Sequence, residues 1–245
     1  MSGLDDIKIL RGDPYEINQY ITIRQPTLDE VVNYGANNYL SLLANLTATS
    51  YDCRFQLDDM GIDYEEVSDY TMFCMLAPLF SQSDTSILFG SLDLSQFTVC
   101  YYDEDVFYLS YQDIVIDEVI YQLIVDYLRN TYGLKRNYIH FGNSMARKFH
   151  MEDERRMLEE KAKENNQYNS WLAPLVSALV NCGDFSYNYE TVWKLTICQF
   201  MDAVKRINKL NEYRNLNIGI YTGNIDTSKI PKNKLSKQLN WMGEL

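Results

Sequence analysis

The chain has 245 residues, 46% hydrophobic and 23% charged, which provides enough apolar side chain for a sizeable core and excludes a wholly disordered polymer. With 22 Lys and Arg against 34 Asp and Glu the formal net charge is −12. Such a surface repels nucleic-acid phosphates, so no nucleic acid is expected as a partner; it keeps the chain soluble and suits a basic or amphipathic protein partner. Cys53, Cys74, Cys100, Cys182 and Cys198 are odd in number, widely spaced and mostly in apolar sequence. That pattern offers no CxxC zinc pair and predicts buried free thiols in a reducing cytoplasm.

The N-terminus has neither the basic start nor the apolar core of a signal peptide. The longest apolar stretch, 114–125, is interrupted by Asp117, Glu118 and Gln122, so no membrane span is expected. The Arg11-Gly12-Asp13 tripeptide reads as a turn before Pro14. Residues 17–24, rich in β-branched side chains, predict a strand stopped at Gln25-Pro26. Thr27 and Glu30 have capping-box spacing and open a helix whose apolar face runs from Val31 through Tyr39 to Leu46. Asp63 and Glu66 repeat that spacing ahead of a helix ending near Pro78. Ile87–Gly90, Phe97–Tyr102 and Val106–Ser110 predict three short strands, the last two joined by a hairpin at Asp103-Glu104-Asp105. A helix follows from Asp117 to Tyr132, with Gly133 as its left-handed stop.

Residues 144–166 predict a charged, largely solvated helix, a possible stalk, with Glu152–Arg156 and Glu159–Lys163 as i,i+4 pairs and fraying at Asn165-Asn166-Gln167. Its few apolar residues include Met145, Phe149, Met151, Met157 and Leu158. Ser170 is placed to cap a helix from Trp171 to near Gly183. Another helix is expected from about Asn188 to Tyr213, and a short one over 216–222. The expected fold is α+β and predominantly helical, with a small antiparallel sheet in the N-terminal half and a helical C-terminal lobe. Its parts are a mixed lobe at 1–142, a charged connecting helix at 143–169, a helical lobe at 170–226 and a lysine-rich tail at 227–245.

No P-loop, dinucleotide-binding glycine pattern, HExxH or GxSxG occurs, and no catalytic residue, cofactor or metal is expected. His140 and His150 could each ligate a metal or act as a base, but their neighbours favour structural roles. The carboxylates at 58–59, 63–66 and 103–105 coincide with turns and helix starts, where unpaired backbone N–H groups favour them; a hydrolase would need two of them to face one cleft. Candidate protein-binding residues are Trp171, Tyr189 and Trp193, expected to line an apolar groove between C-terminal helices, and Leu239, Trp241 and Met242. The last three read as an anchor steered by Lys229, Lys232, Lys234 and Lys237, docking on the chain's own body, on a second copy in a homo-oligomer, or on a partner. A solvated terminus is the alternative.

Three stretches together resemble a family encoded in the tail-assembly regions of phages and prophages of Gram-positive bacteria. They are Ile21-Thr-Ile-Arg-Gln-Pro-Thr-Leu-Asp-Glu-Val with Gln56-Leu-Asp-Asp-Met-Gly-Ile-Asp-Tyr-Glu-Glu; Tyr187-Asn-Tyr-Glu-Thr-Val-Trp-Lys-Leu-Thr with Phe200-Met-Asp-Ala-Val-Lys-Arg-Ile; and Gly219-Ile-Tyr-Thr-Gly-Asn-Ile-Asp with the closing Leu-Asn-Trp-Met. The resemblance implies a tail assembly chaperone in the cytoplasm of the bacterial host, acting without catalysis. Its partner would be the tape-measure or tail-tube protein. The competing expectations are a permanent virion component, such as a baseplate or connector subunit, and a carboxylate-based hydrolase.

Overall fold

A computed structural model describes residues 6–103, 106–136, 138–139, 141–164 and 170–243. The chain opens with α1 (Asp6–Arg11). Gly12 ends it at φ +85°, its N–H bonded to the Ile9 carbonyl at 3.0 Å, so the Arg-Gly-Asp tripeptide is a turn. Where one strand was expected over 17–24, the chain makes a small hairpin of β1 (Tyr15–Glu16) and β2 (Thr22–Ile23). The reversal is made by Asn18, whose Oδ1 accepts from the backbone N–H groups of Tyr20 at 2.9 Å and Ile21 at 2.8 Å. This side-chain mimic of a turn overrides the strand preference of the flanking β-branched residues.

The expected helix after Thr27 is two helices, α2 (Leu28–Tyr34) and α3 (Ala36–Leu46), because Gly35 at φ +98° bends the chain between them. Next comes α4 (Arg54–Asp59), a helix the sequence reading missed. α5 (Asp69–Leu76) is capped by Ser68, whose Oγ accepts from Thr71 N at 3.0 Å. Asp63 instead closes a turn by accepting from Glu65 N, so the expected capping box at Asp63 and Glu66 does not start the helix. Ile87–Gly90, expected as a strand, is the last turn and stop of α6 (Gln82–Phe89), which a Ser81–Asp84 capping box sets going. A short apolar run fits either element, and the cap decides.

The small sheet is an antiparallel meander of β3 (Thr98–Asp103), β4 (Val106–Tyr111) and β5 (Ile114–Ile116), in that order. The expected hairpin residues Glu104 and Asp105 lie outside the described residues. α7 (Glu118–Tyr132) begins and ends as expected, with Asp117 Oδ1 accepting from Ile120 N and Gly133 left-handed at φ +66°. α8 (Ser144–Glu164) follows. His140 and Asn165-Asn166-Gln167, together with the side chains of Leu158 and Lys163, lie outside the described part. Ser170 Oγ accepts from Ala173 N at the start of α9 (Leu172–Val180). The helices expected over 188–213 and 216–222 are one, α10 (Ile197–Tyr221), which starts late because Leu195 is extended and Thr196 is the cap. The tail is structured too: a 3-10 turn at Thr227–Lys229 leads to α11 (Lys232–Leu239). The fold is thus α+β and predominantly helical, and among the described residues no helix is long and apolar enough to cross a membrane.

One apolar cluster runs through α2, α3, α5, α6, the meander, α7, α9 and the start of α10, joining residues such as Leu28, Leu46, Leu88, Ile124, Leu172 and Phe200. Tyrosine supplies its largest members. Tyr39, Tyr121 and Tyr127 are fully enclosed there, and Tyr15 stacks on Tyr127 with centroids 4.6 Å apart. Burial costs the hydroxyl unless it is partnered: Tyr39 donates to Tyr132 Oη at 2.6 Å, and Tyr70 to the Ile116 carbonyl at 2.9 Å. Burial also pushes the Cys74 and Cys198 thiols up to about 11, so both are protonated, inert packing groups at neutral pH.

Two helix starts are locked together at the centre. Thr27 and Thr196 form an isolated antiparallel bridge, with Leu28 N–H donating to the Leu195 carbonyl at 2.9 Å and Ile197 N–H to the Pro26 carbonyl at 3.0 Å. Each threonine also heads a capping box, with Glu30 on α2 and Gln199 on α10. Gln199 Nε2 reaches the Leu10 carbonyl and Gln25 Nε2 the Ile9 carbonyl, tying α1 to the same point.

Removing either cap hydroxyl, Thr27→Ala or Thr196→Ala, is expected to cost about 1 kcal/mol of unfolding free energy. Because the caps share a bridge, the double variant should depart from additivity by about 0.5 kcal/mol or more. Urea denaturation of the four proteins measures this, and strict additivity would show the two helix starts to be independent.

Candidate functional site

Two surfaces carry chemistry that the core does not use. The first is the face of α8 that meets α4. Arg54, 8% exposed, pairs with Glu154 and donates to the Tyr51 carbonyl at 2.5 Å. Arg147 Nη2 lies 2.8 Å from Asp63 Oδ1, with its guanidinium 4.2 Å from the Tyr64 ring centre. Arg155 Nη2 is 2.8 Å from Asp59 Oδ1. Met151 sits between these pairs in a second small core with Leu57, Tyr64 and Met72. The inner face of α8 is therefore docked and the outer face solvated. The acidic clusters at 58–59 and 63 serve as partners for its arginines. The expected Glu152–Arg156 pair is replaced by Asp153–Arg156, one residue closer. A groove of about 440 Å³ between the helices is lined by Asp58, Arg147, Lys148, Met151, Glu152 and Arg155.

His150 belongs to this face. Its Nδ1 lies 3.2 Å from Glu154 Oε2 without the alignment of a hydrogen bond, and its ring packs 4.9 Å from Phe141. Among the described residues no three of His, Cys, Asp and Glu converge as a metal site would require.

The second surface is built by α10 and the tail. The first turns of α10 are buried through Ile197, Cys198 and Phe200, but no residue beyond Phe200 is buried, nor is any in α11. The tail folds back along α10. Ile225 N–H donates to the Gly219 carbonyl at 2.9 Å, and a Cβ on Gly219 would come within 2.4 Å of the Ile225 side chain, which is why glycine stands there. Arg206 Nη1 donates to the Gly243 carbonyl at 2.7 Å. The outcome is a helical hairpin, here called the arm, braced at its side by Arg214 and Asp184 at 2.9 Å. Ile218 is 62% and Tyr221 87% exposed on α10. A shallow depression of about 480 Å³ along α11 is lined by Lys232, Leu235, Ser236, Leu239 and Asn240.

The arm's charge is opposite to that of the rest of the chain. Residues 194–245 hold nine of the 22 basic side chains and only four of the 34 acidic ones. The tail lysines are thus part of a longer basic segment that includes Lys205, Arg206, Lys209 and Arg214.

The candidate binding residues divide. Trp193 Nε1 donates to the Tyr189 carbonyl at 2.7 Å, and the exposed Tyr189 hydroxyl accepts from Asn181 Nδ2 at 3.1 Å, so these two come together. Trp171 packs elsewhere, its Nε1 on the Ala36 carbonyl of α3 at 3.1 Å. Leu239 and Met242 are exposed and Trp241 half-buried, all at the end of α11. Ile218 and Tyr221 were missed. Their i,i+3 spacing would have shown them on one face had the helix been read as continuous through 214–222. Tyr101 and Tyr102 of β3 were missed as well; both are exposed, Tyr102 lying against Tyr108 with centroids 4.1 Å apart.

Glu154→Ala is expected to destabilise by about 3 kcal/mol, because it leaves the Arg54 charge buried without its partner, whereas Arg155→Ala, at a half-exposed pair, should cost under about 1 kcal/mol. Thermal or urea unfolding separates the two, and equal costs would contradict the burial argument. Acid acts on the same face. The hydrogen bond from Arg147 holds the Asp63 carboxyl below its ordinary 3.8. Its contribution is fully present above that value and is lost as pH falls through the lower, folded one. Hydrogen exchange along α8 should therefore be insensitive to that pair from pH 5 to 8 once corrected for the intrinsic rate, and should rise only below about pH 4. In Asp63→Asn that acid-side rise should shrink.

Comparison with known proteins bears on this second surface. The chain matches no curated protein and no solved structure. Residues 161–244 match the family model of the YomV second domain, YomV being a protein of a Bacillus prophage region, and the matched segment takes in α9, α10 and the whole arm.

Proposed function

We propose that this chain is a phage tail assembly chaperone that binds the tape-measure or tail-tube protein in the cytoplasm of the bacterial host and performs no catalysis. One observation carries the reading: the segment related to a prophage-region family ends in a helical hairpin whose apolar side chains lack a full cover. Ile218 and Tyr221 on α10, with Leu239 and Met242 beside α11, are large and exposed, and Leu239 shares its depression with Lys232. Exposed apolar groups of this size on a soluble chain mark surfaces that bind protein, and the charged rim opposes collapse onto unrelated partners. An elongated client helix displays apolar stripes until a tube encloses it. A hairpin with two helical ridges is a suitable temporary cover for such a stripe.

Affinity capture during phage production should recover the tape-measure or tail-tube protein with this chain, while mass spectrometry of finished virions should find this chain missing. Ile218→Asp together with Tyr221→Asp should weaken capture at least about tenfold, the loss of about 1.4 kcal/mol expected from one interface hot spot. Fixed stoichiometry in finished particles would overturn the chaperone reading, and undiminished capture by the double variant would overturn the arm as its surface.

A further inference from the structure

The arm's shallow depression has a matching helix on the same chain. Along α11, Lys232, Leu235 and Leu239 lie on one face, spaced three and then four residues apart. On α8, Met145 and Phe149 are exposed on the outer face, and Glu152, exposed at the edge of the groove with α4, continues their row at a spacing of four and then three. Laid antiparallel, the two rows fall in register: Leu239 against Met145, Leu235 against Phe149 and Lys232 against Glu152. Each row spans about 10 Å at the helical rise. The charges agree as well. The exposed face of α8 carries Glu152, Asp153, Glu159 and Glu160 against Lys148 and Arg156, and the arm belongs to the basic segment.

We propose that the arm of one copy binds α8 of a second copy of this chain. Phe149, 66% exposed, and Met145, 69% exposed, fill the depression between Leu235 and Leu239, and Glu152 meets Lys232 at its rim. Charge selects this pairing over the simpler alternative. Two arms packed on each other would bring two basic surfaces together, whereas an arm on α8 pairs opposite signs. The net charge of −12 opposes association at long range, but at physiological salt that repulsion is screened beyond about 8 Å, so local complementarity governs the contact. Since each copy carries both faces, a reciprocal exchange closes a two-fold dimer and a one-way contact propagates. Self-association covers Leu239, one of the residues assigned above to the client, so client and second copy compete at that edge of the arm. That competition rests on the proposed function; the self-association does not, and its test uses this chain alone.

Analytical ultracentrifugation of the wild type, of Lys232→Glu and of Glu152→Lys decides it. The wild type should associate reversibly across the micromolar range. Each variant alone should have its dissociation constant raised at least about tenfold, since like charges then face each other. An equal mixture of the two variants should associate like the wild type, because both cross-contacts regain opposite signs. Both positions are exposed on helices, and circular dichroism checks that each variant keeps its fold. A wild type that stays monomeric throughout overturns the proposal on its own. So does a mixture no more associated than its components, and a Phe149→Asp chain that associates as strongly as the wild type.

Discussion

The bridge between Thr27 and Thr196 is the contact on which the rest of the architecture depends. Two backbone hydrogen bonds join segments far apart in sequence, and at the same point each threonine hydroxyl accepts from one unpaired N–H group of its own helix. The closure entropy of so long a loop grows only slowly with length, and it is offset where several bonds form together. Once both helices start from one point, the direction of α10 is fixed, and with it the place where the helix leaves the core and the tail must fold back. The position of the arm is therefore set at residues 25–30 and 196–199, well away from its exposed side chains.

The same point bears on how the chain divides. The YomV-type match begins at 161, inside the connecting segment expected over 143–169, as though an independent unit started there. Packing tells a second story. Leu172, Val176, Val192 and Phe200 lie in the same cluster as Leu28, Leu46 and Ile124, and Trp171 hydrogen-bonds to α3. A segment can be a unit of sequence relationship while its core is shared with the segment before it. Here the matched region contributes buried residues at its first half and an uncovered hairpin at its second.

Local signals in the sequence predicted a large part of this and failed where side chains competed with backbone patterns. The capping box at Thr27, the Asp117-to-Gly133 helix and the β3–β4 hairpin strands were legible, because a cap marked the first, cap, periodicity and stop agreed at the second, and β-rich runs flanked a turn at the third. The strand expected at 17–24 failed because one asparagine side chain made a turn, and the strand expected at 87–90 failed because Ser81 and Asp84 had already committed the chain to helix. The inner face of α8 was hidden for another reason. Arg147, Glu154 and Arg155 look like solvent-facing charge in one dimension, and only the fold of α4 and the turn after it, distant in sequence, supplies Arg54, Asp59 and Asp63 to meet them. The candidate site was legible in its chemistry, lysines beside exposed apolar residues near the C-terminus, but not in its form. The tail read as a tether, and Gly219, whose missing side chain lets Ile225 pack against α10, carried no signal of a hairpin.

Charge segregation governs how the arm meets other surfaces. An arm whose described residues past Phe200 are all at least partly exposed would be prone to collapse on any apolar surface if it were neutral. Lys232 at its depression keeps water and counterions at the rim, so that the partner proposed above brings both an apolar row and negative charge. The acidic remainder of the chain repels like copies at a distance, while α8, with exposed Met145 and Phe149, offers the combination proposed above at close range. Screening sets the scale on which these opposing effects trade places: beyond about 8 Å at physiological salt the net charge is scarcely felt, and inside it the arrangement of individual side chains decides. In the proposed self-association, selectivity rests on short-range pattern, the spacing of two leucines and a lysine along one helical face, set against the net charge that opposes association at long range.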